Sequence, residues 1–150
     1  MNLNQQLSNA IFIAVNSHRD QFDKGGKPYI LHCIHLMGQF LHDPELAAIA
    51  VLHDVIEDTS TTAKDLIMAG FSGRIIDALC LLTRKDGQSY SDYISGISLN
   101  KDAIDVKLKD LEHNSDIMRL NSFAAKDIAR VTKYHEAFIY LNEVKQGERK

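Results

Sequence analysis

Residues 43–59 read DPELAAIAVLHDVIEDT, and the organisation of the whole chain can be worked outward from them. Asp43 suits an N-cap, Pro44 the first helical position, and Glu45 the positive end of the helix dipole, so the spacing predicts a helix from Pro44 to about Glu57. Ala47, Ala48, Ile49, Ala50, Val51 and Leu52 follow without a polar break, which marks the helix as a core element. It then ends on His53, Asp54, Glu57 and Asp58. Four titratable groups where an apolar helix leaves the interior are costly unless something compensates them, and a bound metal ion is the direct compensation.

The flanking sequence is helical almost throughout. Leu3, Leu7, Ala10, Ile11, Ala14 and Val15 recur at helical spacing and predict a first helix over residues 1–18. A polar, glycine-containing loop, DQFDKGGKP (20–28), leads into a helix from Tyr29 to about Leu41. Thr62 and Asp65 form a capping-box pattern for a short helix to Ala69. Further helices are expected over Gly73 to Leu82, Ser89 to Ile97, Asp102 to Leu120 and Lys126 to about Val144, with residues 145–150 as a flexible tail. No alternating β-branched run is bounded by hairpin turns. The expectation is one all-α domain, compact, of six to eight helices over residues 1–150.

Bulk properties limit the partners. The chain has 150 residues, 45% hydrophobic and 25% charged, with a net charge of −3, so it lacks the basic footprint of a nucleic-acid binder. No apolar run is long enough to span a membrane and no basic, apolar leader opens the sequence. Cys33 and Cys80 sit in apolar contexts without a CxxC pattern and read as buried thiols of a reducing, cytoplasmic setting.

The candidate metal ligands lie on three predicted helices. His53 with Glu57, and Asp54 with Asp58, stand at i and i+4, so all four crowd one helix end. An imidazole and a carboxylate there suit a first-row divalent ion or zinc. His32 in GKPYILH follows the glycine loop, and Asp110 in VKLKDLEHN is a mid-helix acid among Val106, Leu108 and Leu111. Two imidazoles and two carboxylates leave open positions for water and a phosphate oxygen. Asn114 stands one turn after Asp110 on the same face. His18 and His35 neighbour these residues, with a site role and a packing role both open. His113 and His135 carry no ligand pattern, and Arg84 and Lys85 read as a solvated loop.

The His…His-Asp…Asp order resembles the HD metal-dependent phosphohydrolases. HRDQFDKGGKPY, GKPYILH, HDVIEDT and VKLKDLEHN are together similar to the motifs of the RelA/SpoT hydrolase domain and the Mesh1-like small alarmone hydrolases. The resemblance runs from His18 to Asn114. It implies an HD domain in which His32, His53, Asp54 and Asp110 bind a divalent metal, manganese by analogy. It further implies that Glu57 and Asp58 are the catalytic pair and that Lys24 and Asn114 contact the substrate. The implied reaction removes the 3′-pyrophosphate of guanosine 3′,5′-bis(diphosphate), an alarmone of the stringent response.

The pattern departs from that family at Asp23, where an arginine commonly packs on guanine, and at Ile117, where threonine is common. Cys33 replaces a proline and Glu112 a basic or neutral residue. Two alternatives follow: an HD phosphatase for another nucleotide, such as a nucleoside monophosphate or NADPH, and a nucleotide-binding module without turnover. The expected partner is a small nucleotide, with neither nucleic acid nor membrane, and self-association is left open.

Overall fold

The structure is a computed structural model that describes residues 1–148. Nine α-helices and one 3₁₀ turn occur among them: α1 (Leu3–Ser17), α2 (Ile30–Gly38), α3 (Pro44–Leu52), α4 (Val55–Asp58), α5 (Ala63–Met68), α6 (Gly73–Leu82), α7 (Tyr90–Ile97), α8 (Lys101–Asn114), the 3₁₀ turn Ile117–Arg119, and α9 (Ala125–Gln146). The described residues contain no sheet, and a single isolated bridge joins Phe22 to Pro28. None of their helices is long and apolar enough to cross a membrane. The all-α expectation holds, with α4 the one-turn continuation of α3.

α3 is the axis of the molecule. Every residue from Leu46 to Leu52 is buried, and α1, α2, α6 and α8 all pack against it. A helix that is apolar on every side has no solvent face to offer, so it takes the centre and its neighbours surround it. Its start is pinned as the sequence indicates: the Asp43 carboxylate accepts from the N–H groups of Glu45 and Leu46, each at 3.2 Å. Arg74 of α6 then ties that start together, reaching Asp43 at 2.7 Å, Glu45 at 3.2 Å and Asp102 at the head of α8 at 2.8 Å.

Several boundaries differ from expectation for local reasons. The helix predicted from Pro44 to Glu57 breaks at His53 and Asp54. There the His53 Nδ1–H donates to the Ala50 carbonyl at 2.8 Å, competing for the acceptor that a continuing helix offers to Asp54. α8 ends at Asn114 rather than Leu120, because Asp116 turns its carboxylate onto the Met118 N–H and starts the 3₁₀ turn. α9 continues to Gln146 and closes on Gly147 in the left-handed region, so residues 145 and 146 of the expected tail are helical; 149 and 150 lie outside the described residues.

One residue reading is corrected. Cys33 is buried, but Cys80 is exposed. α6 directs Ile75, Ala78, Leu79 and Leu82 inward, which leaves Cys80 on the outer side with Asp77.

Candidate metal centre

His53 and Asp54 occupy the α3–α4 break, His32 lies one turn into α2, and Asp110 lies near the end of α8. These three segments meet in space: each of the four side chains offers a ligand atom, and all four atoms lie within 4.8 Å of one another. The Nε2 atoms of His32 and His53 are 3.3 Å apart. Asp110 Oδ1 is 3.0 Å from the first and 3.4 Å from the second, and Asp54 Oδ2 is 2.8 Å from His53 Nε2. His32, His53 and Asp110 are buried at 1%, 2% and 4% exposure, so three of the four donors are withdrawn from solvent. Two imidazole nitrogens and two carboxylates converging at this depth fit the donor preferences of a divalent first-row ion.

Each donor is aimed by a second contact. His53 Nδ1–H is spent on Ala50, which turns Nε2 toward the carboxylates. Tyr29 donates its hydroxyl to Asp54 Oδ2. Lys107, one turn before Asp110, grips its Oδ2 at 2.7 Å, while the Asn114 amide donates to Oδ1 at 2.8 Å. His32 Nδ1 lies 2.7 Å from His113 Nδ1.

The electrostatics follow from this geometry. Burial opposes charging of His53, but Asp54 and Asp110 outweigh it and hold His53 well above the ordinary histidine range. Burial lowers His32, which lacks enough compensation from Asp110 to recover. Asp110 falls well below the carboxylate range despite its burial, because Lys107 and the two histidines favour its charged form. Asp54 is lowered against its own burial by the charge and hydrogen bond of His53. Desolvation, followed by the charges of Asp54 and Glu57, pushes Asp58 up to about 6.

Glu57 and Asp58 stand at the open rim of the cluster, and Asp54, Glu57 and Asp58 form a second group whose oxygens could share a cation. Glu57 Oε1 accepts the Arg84 N–H at 2.6 Å, so the loop read as merely solvated also fixes an acid at the rim. Lys24 and Asn114, far apart in sequence, line one cavity of about 340 Å³ with Tyr29, Arg119, Arg130 and Tyr134. Since Asn114 binds Asp110 and Tyr29 binds Asp54, this cavity adjoins the cluster directly. Burial and Arg130 lower Lys24. Asp23 does not reach into open space: its Oδ1 accepts from the N–H groups of Gly25 and Lys27, each at 2.9 Å, and its other oxygen lies 3.5 Å from Arg119.

Sequence reasoning missed Lys107, His113, Arg119, Arg130 and Tyr134. Lys107 and His113 were legible in principle, since each stands three residues from Asp110 on its helix. Arg130 and Tyr134 come from α9, whose approach to the loop is a tertiary event without a local motif. His35 is exposed and stacks on His113, while His18 is buried beside Tyr29 rather than among the four donors.

No protein-family model matches the chain. Over 117 residues, 68% of this chain, it is 32% identical to a guanosine-3′,5′-bis(diphosphate) 3′-pyrophosphohydrolase of Haemophilus influenzae, of which it covers 17%. Over 125 residues, 73% of this chain, it is 29% identical to the bifunctional (p)ppGpp synthase/hydrolase SpoT of Escherichia coli, of which it covers 18%. The chain thus spans less than a fifth of the length of these curated relatives. Among solved structures, a metazoan ortholog of SpoT described as hydrolysing ppGpp shares the fold, with a TM-score of 0.71 at 19% identity, over 95% of this chain and 96% of that one.

Proposed function

We propose that this protein is a divalent-metal-dependent phosphohydrolase of phosphorylated nucleotides, with an HD-type centre formed by His32, His53, Asp54 and Asp110. The observation that carries the reading is the convergence of those four donors, three of them buried, from α2, the α3–α4 break and α8. A divalent ion held there supplies Lewis acidity toward a phosphoryl oxygen and a water acidified toward neutrality. Manganese is the ion proposed, by resemblance to the alarmone hydrolases.

The remaining roles belong to the chain's own groups. Asp58, with a pKa near 6, is suited to take a proton from an attacking water at neutral pH. Glu57, held by the Arg84 N–H, orients that water beside it. Lys24, Arg119 and Arg130 line the adjoining cavity with positive charge for the substrate's phosphates, and Asn114 joins that cavity to Asp110. The specific substrate proposed is guanosine 3′,5′-bis(diphosphate), losing its 3′-pyrophosphate. The sequence similarity to a 3′-pyrophosphohydrolase supports this choice.

A second reading, hydrolysis of another nucleotide, is favoured by Asp23. Its carboxylate is committed to its own loop and to Arg119, so the loop presents no arginine face to a guanine. Purified protein with Mn²⁺ and a panel of 3′- and 5′-phosphorylated nucleotides separates these readings. Pyrophosphate released from guanosine 3′,5′-bis(diphosphate) supports the first reading, and orthophosphate from a different nucleotide supports the second. Binding without release of either product overturns the enzymatic reading itself.

A further inference from the structure

His32 has two ring nitrogens, and the structure gives each a distinct neighbour. Nε2 faces Asp110 Oδ1 at 3.0 Å and His53 Nε2 at 3.3 Å, inside the cluster. Nδ1 faces away from it, 2.7 Å from Nδ1 of His113. Two imidazole nitrogens at that separation share one hydrogen: one ring donates and the other accepts. A histidine that ligates through Nε2 needs that lone pair free, so its hydrogen must reside on Nδ1.

We propose that His113 is the positioning residue of His32: its Nδ1 accepts the His32 Nδ1–H and fixes the tautomer and ring plane that present Nε2 to the metal. This rests on the reading of His32 as a ligand. Metal-bound histidines are generally oriented in this way by a carboxylate, a carbonyl or water, and here an imidazole takes the part. The ring geometry fits. His32 and His113 lie 9° from parallel with centroids 5.0 Å apart, and His35, one turn along α2 from His32, stacks on His113 at 4.0 Å and 15°. α2 therefore holds the ligand and the ring that clamps its orienter, while α8 supplies both Asp110 and His113.

The choice of a neutral acceptor has a physical reason. Asp54, Glu57, Asp58 and Asp110 already crowd the centre with acids. A further carboxylate behind His32 would favour the imidazolium, whose Nε2 cannot ligate, whereas a neutral imidazole orients the ring without adding charge. With His32 donating, His113 carries its own hydrogen on Nε2.

Titration of the purified protein with Mn²⁺, followed by electron paramagnetic resonance of the free ion, tests this with three variants. His113→Phe keeps a ring to stack on His35 but removes the acceptor, and is expected to weaken Mn²⁺ binding about 10- to 100-fold. His113→Asn returns an oxygen acceptor near the Nδ1 position and is expected to bind within a few-fold of wild type. His32→Ala in the same titration tests the ligand itself. Loss of binding in His32→Ala with wild-type binding in His113→Phe overturns the positioning role alone. Unchanged binding in His32→Ala overturns the ligand reading beneath it. Equal losses in His113→Phe and His113→Asn also overturn the proposal, because returning an oxygen acceptor would then restore nothing. Nitrogen-15 spectra of the wild-type protein loaded with Zn²⁺ give an independent readout that needs no variant. Hydrogen on His32 Nδ1 is expected, and hydrogen on Nε2 contradicts the proposal.

Discussion

Lys107 shows how much a single residue contributes beneath the donors. Its ammonium grips Asp110 Oδ2 at 2.7 Å in a nearly buried position, and the pairing drives the two groups apart in pKa, Lys107 upward and Asp110 downward. Lys107→Met fills the same space but takes the cation from Oδ2 of a buried carboxylate, so it should destabilise the protein by about 3 kcal/mol. Denaturant unfolding measures this, and added Mn²⁺ should restore part of the loss; an unchanged midpoint would remove Lys107 from the account. At the rim, Glu57→Gln should keep metal affinity while lowering turnover by about two to four orders of magnitude. Equal turnover in that variant would deny Glu57 its assigned role.

His53 gives the pH dependence. Because Asp54 and Asp110 hold its pKa well above the ordinary histidine value, the metal-free protein keeps a proton on it at neutral pH. That raised pKa stabilises the metal-free fold fully below the ordinary histidine range and is lost as pH rises through the folded value. A metal competes for the same nitrogen, so Mn²⁺ uptake at pH 7 should release a proton, and affinity should fall from pH 8 to pH 6. Calorimetry in two buffers of different ionisation enthalpy reads the release directly. Heats that agree between buffers would show that His53 is not displaced. The four donors were legible in the sequence because each lies inside a local pattern. His113 was legible only as a neighbour of Asp110 on one helix face; its pairing with His32 is created only when α2 meets α8.

Among elements, α3 and the loop before α2 set the site's shape in different ways. The Asp43 cap, Pro44 and the unbroken apolar run foretold α3, and its central position follows from having no polar face. The break at His53 was not legible, since it depends on a side chain turning back to the Ala50 carbonyl. Arg74 binds the heads of α3 and α8 to α6, and its hydrogen bonds lower the Asp43 pKa below the usual carboxylate value. The stability from Asp43 is therefore present above the ordinary carboxylate range and lost as pH falls through the lowered folded value. Because Arg74 is 38% exposed, solvent screens the tie, and Arg74→Met should cost about 1 kcal/mol at pH 7. Unfolding followed at pH 7 and again near pH 2.5 should show that cost shrinking in acid. In the loop, a Cβ on Gly25 would lie 2.5 Å from the Arg119 carbonyl oxygen. Gly25→Ala should displace Lys24 and Arg119 together, raising KM severalfold with metal affinity unchanged.

At the scale of the whole molecule, the bundle brings residues 78 positions apart in sequence, His32 and Asp110, to 3.0 Å. The fold class was readable from helical periodicity and helix-start signals together with the absence of alternating strand runs. The cavity beside the cluster was not, since α9 completes it with Arg130 and Tyr134 across the chain's full length. Joining helices through one ion also makes stability respond to metal: at a free concentration 100-fold above Kd, the gain is about 2.7 kcal/mol. The most direct test of the centre is anomalous diffraction from crystals grown with Mn²⁺, recorded at the manganese edge. A single peak bonded to His32 Nε2, His53 Nε2, Asp54 and Asp110 is the predicted result. A manganese peak elsewhere, or one that leaves any of those four side chains uncoordinated, would contradict it.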